Sequence, residues 1–429
     1  MAGREDMEES RQEVMGRRLG GRVMPYVLVL MGLFSQTSSA GMSIMIGIGA
    51  LVMIRDLVRD RASFFRVPFA RRLCIVAALF AASLFVTSLF SMEPARSFRE
   101  NLSTLSRMLP LFFALFYVRS WRCATAILAA FAVSTAVNDV AAVVQAVRKV
   151  DTGWGTRPIG LVHSPTFLGS FMLLSMPLLV FPVALLPLSR KWKLFFWGVA
   201  ALSFAVLLLS MTRGAWLAFA CVAVSSVFFC GRYRVTVLKG LAVLLLAFGM
   251  IFFGNATYGH RAEQVFDDTV QSETERYLMW QSAYRIFEDH PIVGIGQDEF
   301  GLAYNRDYLS PQAKERPRPD DPRSGHGHPH NNFMKVLSER GLVGMACFLL
   351  LHGAVFVALL RMLRQSKSGK AYLFALAGTL AFIGIHLEGL TDTNLQLTHI
   401  ARTYWLLMGL CLAAGQMKDE DVVKMDGER

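Results

Sequence analysis

The stretch Gly327-His328-Pro329-His330-Asn331-Asn332-Phe333 closes the one long polar segment of a chain otherwise made of apolar runs, and it stands at the foot of the next run. A titratable imidazole held at a water–lipid boundary is a poor choice for stability and a good one for chemistry on a substrate that is itself partly lipid. Three readings fit His330. With His326 and His328 it could ligate a metal, but alternate spacing on a Gly/Pro-rich loop, with no His-Glu-x-x-His run or cysteine pair, is a weak metal signature. It could be a solvated loop residue. It could be a general base, which needs a neutral imidazole within reach of a hydroxyl, and an Asn331/Asn332 cap on the following helix would fix its backbone. The base is the reading adopted, with no metal and no cofactor expected.

Arg213 lies in Ser210-Met211-Thr212-Arg213-Gly214-Ala215-Trp216, where one apolar run turns straight into the next. A charge near hydrocarbon costs about 2.5–3.5 kcal/mol on insertion scales, so it needs a partner or a task. It either snorkels to the interface or faces an interior cavity and holds an anion, and the planar guanidinium fork grips phosphate oxygens better than any other side chain. Between Asn255 and Asn332 there are eight basic and thirteen acidic residues, so that segment is no general anion trap. An arginine that binds phosphate there must do so by position. Arg276 is the candidate, expected in the first turn of a helix beside its aromatic face.

Other polar residues fall toward the same side: Arg157 and His163 in Arg157-Pro158-Ile159-Gly160-Leu161-Val162-His163, Asn138 and Asp139 toward the outer end of an apolar run, and Glu388 and Asp392 between the last two runs. Each alone is more readily structural than catalytic. Together they point to a polar outer cavity, with Arg157, His163, Asn331, Glu388, Asp392 and Asp139 as candidate pocket residues.

The elements that must position these groups are membrane helices. Of 429 residues 54% are hydrophobic and 18% charged, with a mean hydropathy of +0.41, too apolar for a soluble multidomain protein. Apolar runs near 23–38, 41–55, 73–91, 104–118, 122–146, 166–188, 192–210, 213–230, 235–253, 334–362, 371–388 and 397–415 predict about twelve transmembrane helices in an all-α fold. Every even connection is basic: Arg55 to Arg72, Arg190 to Lys193, Arg232 to Lys239 and Arg361 to Lys370. Odd connections such as Ser35–Ala40 and Leu387–Gln396 hold no Lys or Arg. The bias predicts cytoplasmic termini and an extracytoplasmic 254–333 segment. The expected organisation is a tail 1–22, helices over 23–253, a loop domain 254–333, helices over 334–415 and a tail 416–429.

The net charge of +12 is then read as anchoring beside anionic headgroups, and no nucleic-acid motif accompanies it. The six cysteines fall within or at the ends of apolar runs and imply no disulfide framework. Within 254–333, Ser272-Glu273-Thr274-Glu275 reads as a capping box. Tyr277, Trp280, Tyr284 and Phe287 follow at helical spacing, predicting an amphipathic helix over roughly 272–288 that suits a membrane surface. Pro291, Gly294 and Gly296 should end it in a turn.

Three features resemble the O-antigen ligase and polymerase superfamily of bacterial envelope glycosyltransferases: Thr212-Arg213-Gly214, Arg276-x-x-x-Trp280 running through His290-Pro291-x-x-Gly294-x-Gly296, and His330-Asn331 running into Glu339-x-Gly341-Leu342-x-Gly344. The likeness covers about 150–350 by motif and the whole chain by topology. It implies a helical bundle of the lipid-linked-sugar glycosyltransferase kind with a large periplasmic loop. Its donor would be a glycan on undecaprenyl diphosphate, in the inner membrane, and the chemistry would be metal-independent. Carried over, Arg213 and Arg276 would hold the diphosphate, His330 would deprotonate the acceptor, and Asp392 would match a further acidic residue. The first expectation is ligation to a lipid A core sugar. A glycan polymerase or a protein O-oligosaccharyltransferase would use the same chemistry. From another class, a secondary transporter would share the span count, but it more often shows internal repeats and midplane charges.

Overall fold

The computed structural model describes residues 19–60, 68–254, 271–318, 320–366 and 368–417, and these are helical with no β-strand among them. The order is α1 (Leu19–Phe34), α2 (Ser39–Arg59), α3 (Pro68–Leu89), α4 (Pro94–Tyr117), α5 (Trp121–Val147), α6 (Pro165–Val180), α7 (Arg190–Leu209), α8 (Arg213–Phe229) and α9 (Arg234–Gly254). Then come α10 (Gln271–Asp289), the single turn α11 (Phe300–Ala303), α12 (Asn332–Ser366), α13 (Gly369–Glu388) and α14 (Thr398–Ala414). Each of the twelve apolar runs coincides with one of these helices. Among the described residues, seven helices (α2, α3, α5, α6 with its extension to Ala184, α7, α12 and α13) are long and apolar enough to cross a membrane by length and composition; α1 and α8 are apolar but shorter. Residues 1–18 and 418–429 of the tails, and residues 255–270 of the polar segment, lie outside the described residues.

Serines start many of these helices. Ser38, Ser120, Ser164 and Ser189 each accept a backbone N–H from the first turn of α2, α5, α6 and α7, satisfying donors that would otherwise be orphaned near lipid. Among those seven helices, α13 and α6 are the most buried, their apolar stretches 83% and 78% covered, against 28% for the peripheral α2. Around them α14 packs along α4, α1 along α5, and α3 along α12, the longest helix among the described residues.

The connections alternate between two ends. At the basic end Asp56 accepts from Gly20 N and Tyr117 Oη, joining the start of α1 to the ends of α2 and α4, while Lys370 sits over the Trp121 ring. At the other end Ser97 donates to Gln297 O and Asn332 N to Gly389 O at 2.8 Å.

That second end carries a small core of its own, in which Met279, Ala283 and Ile286 of α10 pack on Ile295, Phe300 and Tyr304. The aromatic residues of α10 do not form one face: Tyr277 and Tyr284 are exposed, whereas Trp280 donates to Pro329 O at 2.8 Å. The capping box is also used differently, because Glu275 takes Lys314 N at 2.7 Å. Since α10 begins at Gln271, Arg276 stands in its second turn rather than its first.

The two glycine motifs meet here. Ile295 N and Gly296 N donate to Ser338 O and Glu339 O, and Leu342 N and Val343 N return to Pro291 O and Ile292 O. Such a backbone-to-backbone seam leaves no room for a side chain. A Cβ on Gly294 would lie 2.3 Å from the Glu339 carbonyl carbon, and one on Gly341 2.5 Å from Ile292. Gly341 itself breaks α12 with φ 59° and ψ −159°, a region open only to glycine. The run expected to start at 334 therefore begins at Asn332 as a polar segment with buried Lys335, Glu339 and Arg340, and its apolar stretch follows the break.

Gly341→Ala should lower the unfolding midpoint in detergent by the equivalent of about 1–3 kcal/mol. Gly353→Ala, in the same helix with open space around its Cβ, should be neutral or gain up to about 1 kcal/mol. Equal midpoints for the two variants would contradict the seam.

Candidate active site

His330 sits on a loop whose backbone is held from three sides. Trp280 holds the carbonyl of the preceding Pro329. Asn331 caps α12, its Oδ1 accepting from Phe333 N at 2.9 Å and Met334 N at 3.1 Å, and its Nδ2 donates to Leu390 O at 2.9 Å. Asn332 does not share the cap: it pairs through Nδ2 with Asn394 Oδ1 at 2.7 Å. Between these anchors His330 has φ +48°, a left-handed conformation that a non-glycine residue keeps only where its surroundings impose it.

The loop is thereby laced to the turn that follows α13, and this brings His330 Nδ1 to 3.5 Å from Asp392 Oδ1. Asp392 is buried and also accepts Thr393 N at 2.7 Å. Burial alone would raise its carboxyl, but the adjacent His330, with His328 and Arg276 behind it, outweighs burial and holds it below the ordinary carboxylate range. At 3.5 Å the contact is an ion pair and not a hydrogen bond, and His330 Nδ1 is buried with no hydrogen-bond partner among the described residues. With Nδ1 turned to the carboxylate, Nε2 is the ring nitrogen left to take a proton.

His328 stacks edge-on to His330 at 4.3 Å between centroids and its Nδ1 meets Thr393 Oγ1 at 3.0 Å. Burial, and then repulsion from His330, pushes its imidazole down to about 3, so it is neutral at working pH. His328, His330 and Asp392 offer three ligand atoms within 4.8 Å of one another, enough to hold a divalent ion in principle.

Two arginines border the same turn. Arg276 lies one turn before Trp280 on α10, and its charge acts on both Asp392 and Glu388. Arg213 is the buried first residue of α8. Its neighbour Gly214 presses on Thr391, a Cβ there standing 2.1 Å from Thr391 Oγ1. Arg157 braces this hinge, donating from Nε to Ser210 O at 2.9 Å and from Nη2 to Thr212 Oγ1 at 3.3 Å. Glu388, the last residue of α13, accepts from Ser170 Oγ at 2.6 Å and Asn394 Nδ2 at 2.8 Å through Oε2. Its other oxygen is buried with no hydrogen bond among the described residues.

Not every candidate joins this group. Asp139 is buried between α5 and α7, taking Ser203 Oγ at 2.6 Å, and Asn138 bridges Gln36 to Leu161 N. Both serve helix packing. His163 is exposed and acts on His399. Conversely, Trp280, His328, Thr393 and Asn394 hold the site together and were not singled out from sequence for that work; the polar His/Asn/Thr content of 326–332 and 391–394 was the available signal.

Residues 198–349 match the family model for O-antigen ligase, a stretch that contains Arg213, Arg276, His330 and both glycine motifs and stops short of Glu388 and Asp392. No curated protein matches the chain. A helical membrane architecture and this match over residues 198–349 together support the O-antigen ligase and polymerase superfamily.

Proposed function

We propose that this protein is an O-antigen ligase: it moves a glycan from undecaprenyl diphosphate to a hydroxyl of a lipid A core sugar, at the periplasmic face of the inner membrane, with α1–α9 and α12–α14 as twelve spans. The observation that carries the reading is the His330–Asp392 pair at the polar end of the bundle, with Arg213 and Arg276 bordering the same turn.

The chemistry follows from what each group can do. Asp392, held ionised, receives the Nδ1–H of His330, fixes the ring and stabilises the imidazolium that forms. Nε2 removes the acceptor's hydroxyl proton as its oxygen bonds to the anomeric carbon. The bond from that carbon to the diphosphate oxygen breaks, and the charge gathering on the leaving group is met by the guanidiniums of Arg213 and Arg276. A diphosphate leaves without a general acid. Attack from the face opposite the leaving group inverts the anomeric centre. On this reading two guanidiniums supply the neutralisation a metal would otherwise give.

Incubating purified protein with lipid-linked glycan and separate acceptors decides the reaction. Mass gained by the lipid A core supports ligation; mass gained only by a second glycan, or by protein Ser or Thr, makes the protein a polymerase or a protein oligosaccharyltransferase instead. His330→Ala should remain folded and lose about 10²–10⁴-fold in transfer rate; full transfer by this variant ends the base assignment. Arg213→Lys should bind the lipid diphosphate much more weakly, because a point charge replaces the fork, and near-normal affinity would make Arg213 a mere anchor. A chelator should leave transfer unchanged. Loss of transfer restored by one divalent ion would assign His328, His330 and Asp392 to a metal instead.

A further inference from the structure

A second charged site lies along the same turn, on the side that faces into the bundle. Between α3, α4, α12 and α14 there is an open-sided cavity of about 30 Å³, lined by Arg107, Arg340 and Gln396 together with Phe80, Phe348 and Trp405. Two guanidiniums bordering one small space repel each other, and Arg107 does act on Arg340. Their compensation is partial. Arg340 donates only to a neutral group, Gln297 Oε1, and lies over the Phe80 ring at 5.6 Å; Glu339, the acid that also acts on it, is bonded to Lys335 at 2.7 Å. Arg107 holds the Gln396 carbonyl and Ser103 Oγ, with Glu100 at 3.9 Å.

Donors are also left over. Arg107 Nε and Gln396 Nε2 are buried and have no acceptor among the described residues. Unmet buried donors beside paired cations are rare unless an acceptor comes from outside. The complement is a compact group with several acceptor oxygens and at least one negative charge, attached to something apolar, since apolar side chains such as Phe80, Met108, Val336, Phe348, Leu395 and Trp405 make up most of the remaining wall.

We propose that this cavity binds the phosphate group of a membrane amphiphile, as a second oxyanion site separate from the one bordered by Arg213 and Arg276. The inference does not depend on the transfer reaction. Because Gln396 lies four residues beyond Asp392, a phosphate held here would also steady the turn that carries the acidic partner of His330.

The test uses full-length protein in phosphatidylcholine nanodiscs, titrated with phosphatidic acid and read by native mass spectrometry as lipid retained. The wild type should hold one phosphatidic acid, and Arg107→Gln and Gln396→Leu should each weaken retention about tenfold or more, the loss of one charge-assisted or neutral donor set. Arg213→Gln should retain it as the wild type does. Inorganic pyrophosphate added in parallel separates the sources: displacement means the anion suffices, and no displacement means that the lipid-borne phosphate is required; both support the site. Gln396→Leu removes no charge and guards against misfolding of the arginine variant. Wild-type retention by both Arg107→Gln and Gln396→Leu overturns the proposal, as does loss of retention in Arg213→Gln alone.

Discussion

The site depends on how the loop before α12 is fastened to the turn after α13. Asn332 N to Gly389 O, Asn331 Nδ2 to Leu390 O and Asn332 Nδ2 to Asn394 Oδ1 are ordinary hydrogen bonds, each with a modest net contribution. Their joint effect is geometric: they bring segments 60 residues apart into one register and set His330 opposite Asp392. The left-handed backbone of His330 is the strain this fastening sustains, and it is the reason the imidazole leaves the loop toward the carboxylate.

A second constraint acts one layer away. The seam between 291–296 and 338–343 interrupts α12 at Gly341, so the helix need not be apolar from its first residue. Its first three turns carry Lys335, Glu339 and Arg340 among polar partners, and its apolar length comes after the break. The same seam anchors the end of α10, and thereby Arg276 and Trp280, to the helix that His330 introduces. Motif glycines thus position the candidate site without touching it.

Hydropathy made the architecture legible. Twelve apolar runs became twelve helices because the need to satisfy every backbone group near lipid leaves the chain few alternatives. The helix over 271–289 was visible in its spacing, but the destination of Glu275 was not, since the Lys314 N–H it takes is remote in sequence. A carboxylate in an apolar run reads alike whether it faces a cavity or a neighbouring serine, so the sequence alone does not reveal that Asp139 lies between α5 and α7 against Ser203. The break at Gly341 was hidden for the same reason: it exists only because Pro291 and Ile292 approach. Arg107 and Arg340 drew no notice because each stands in a locally polar stretch, and only the bundle brings them to one cavity.

In the proposed reaction His330 and Asp392 act as one unit, and a double-mutant cycle on transfer rate measures that directly. If Asp392 works through the imidazole, His330→Ala combined with Asp392→Asn should be no slower than His330→Ala alone. Losses that multiply, as for two independent residues, would contradict it.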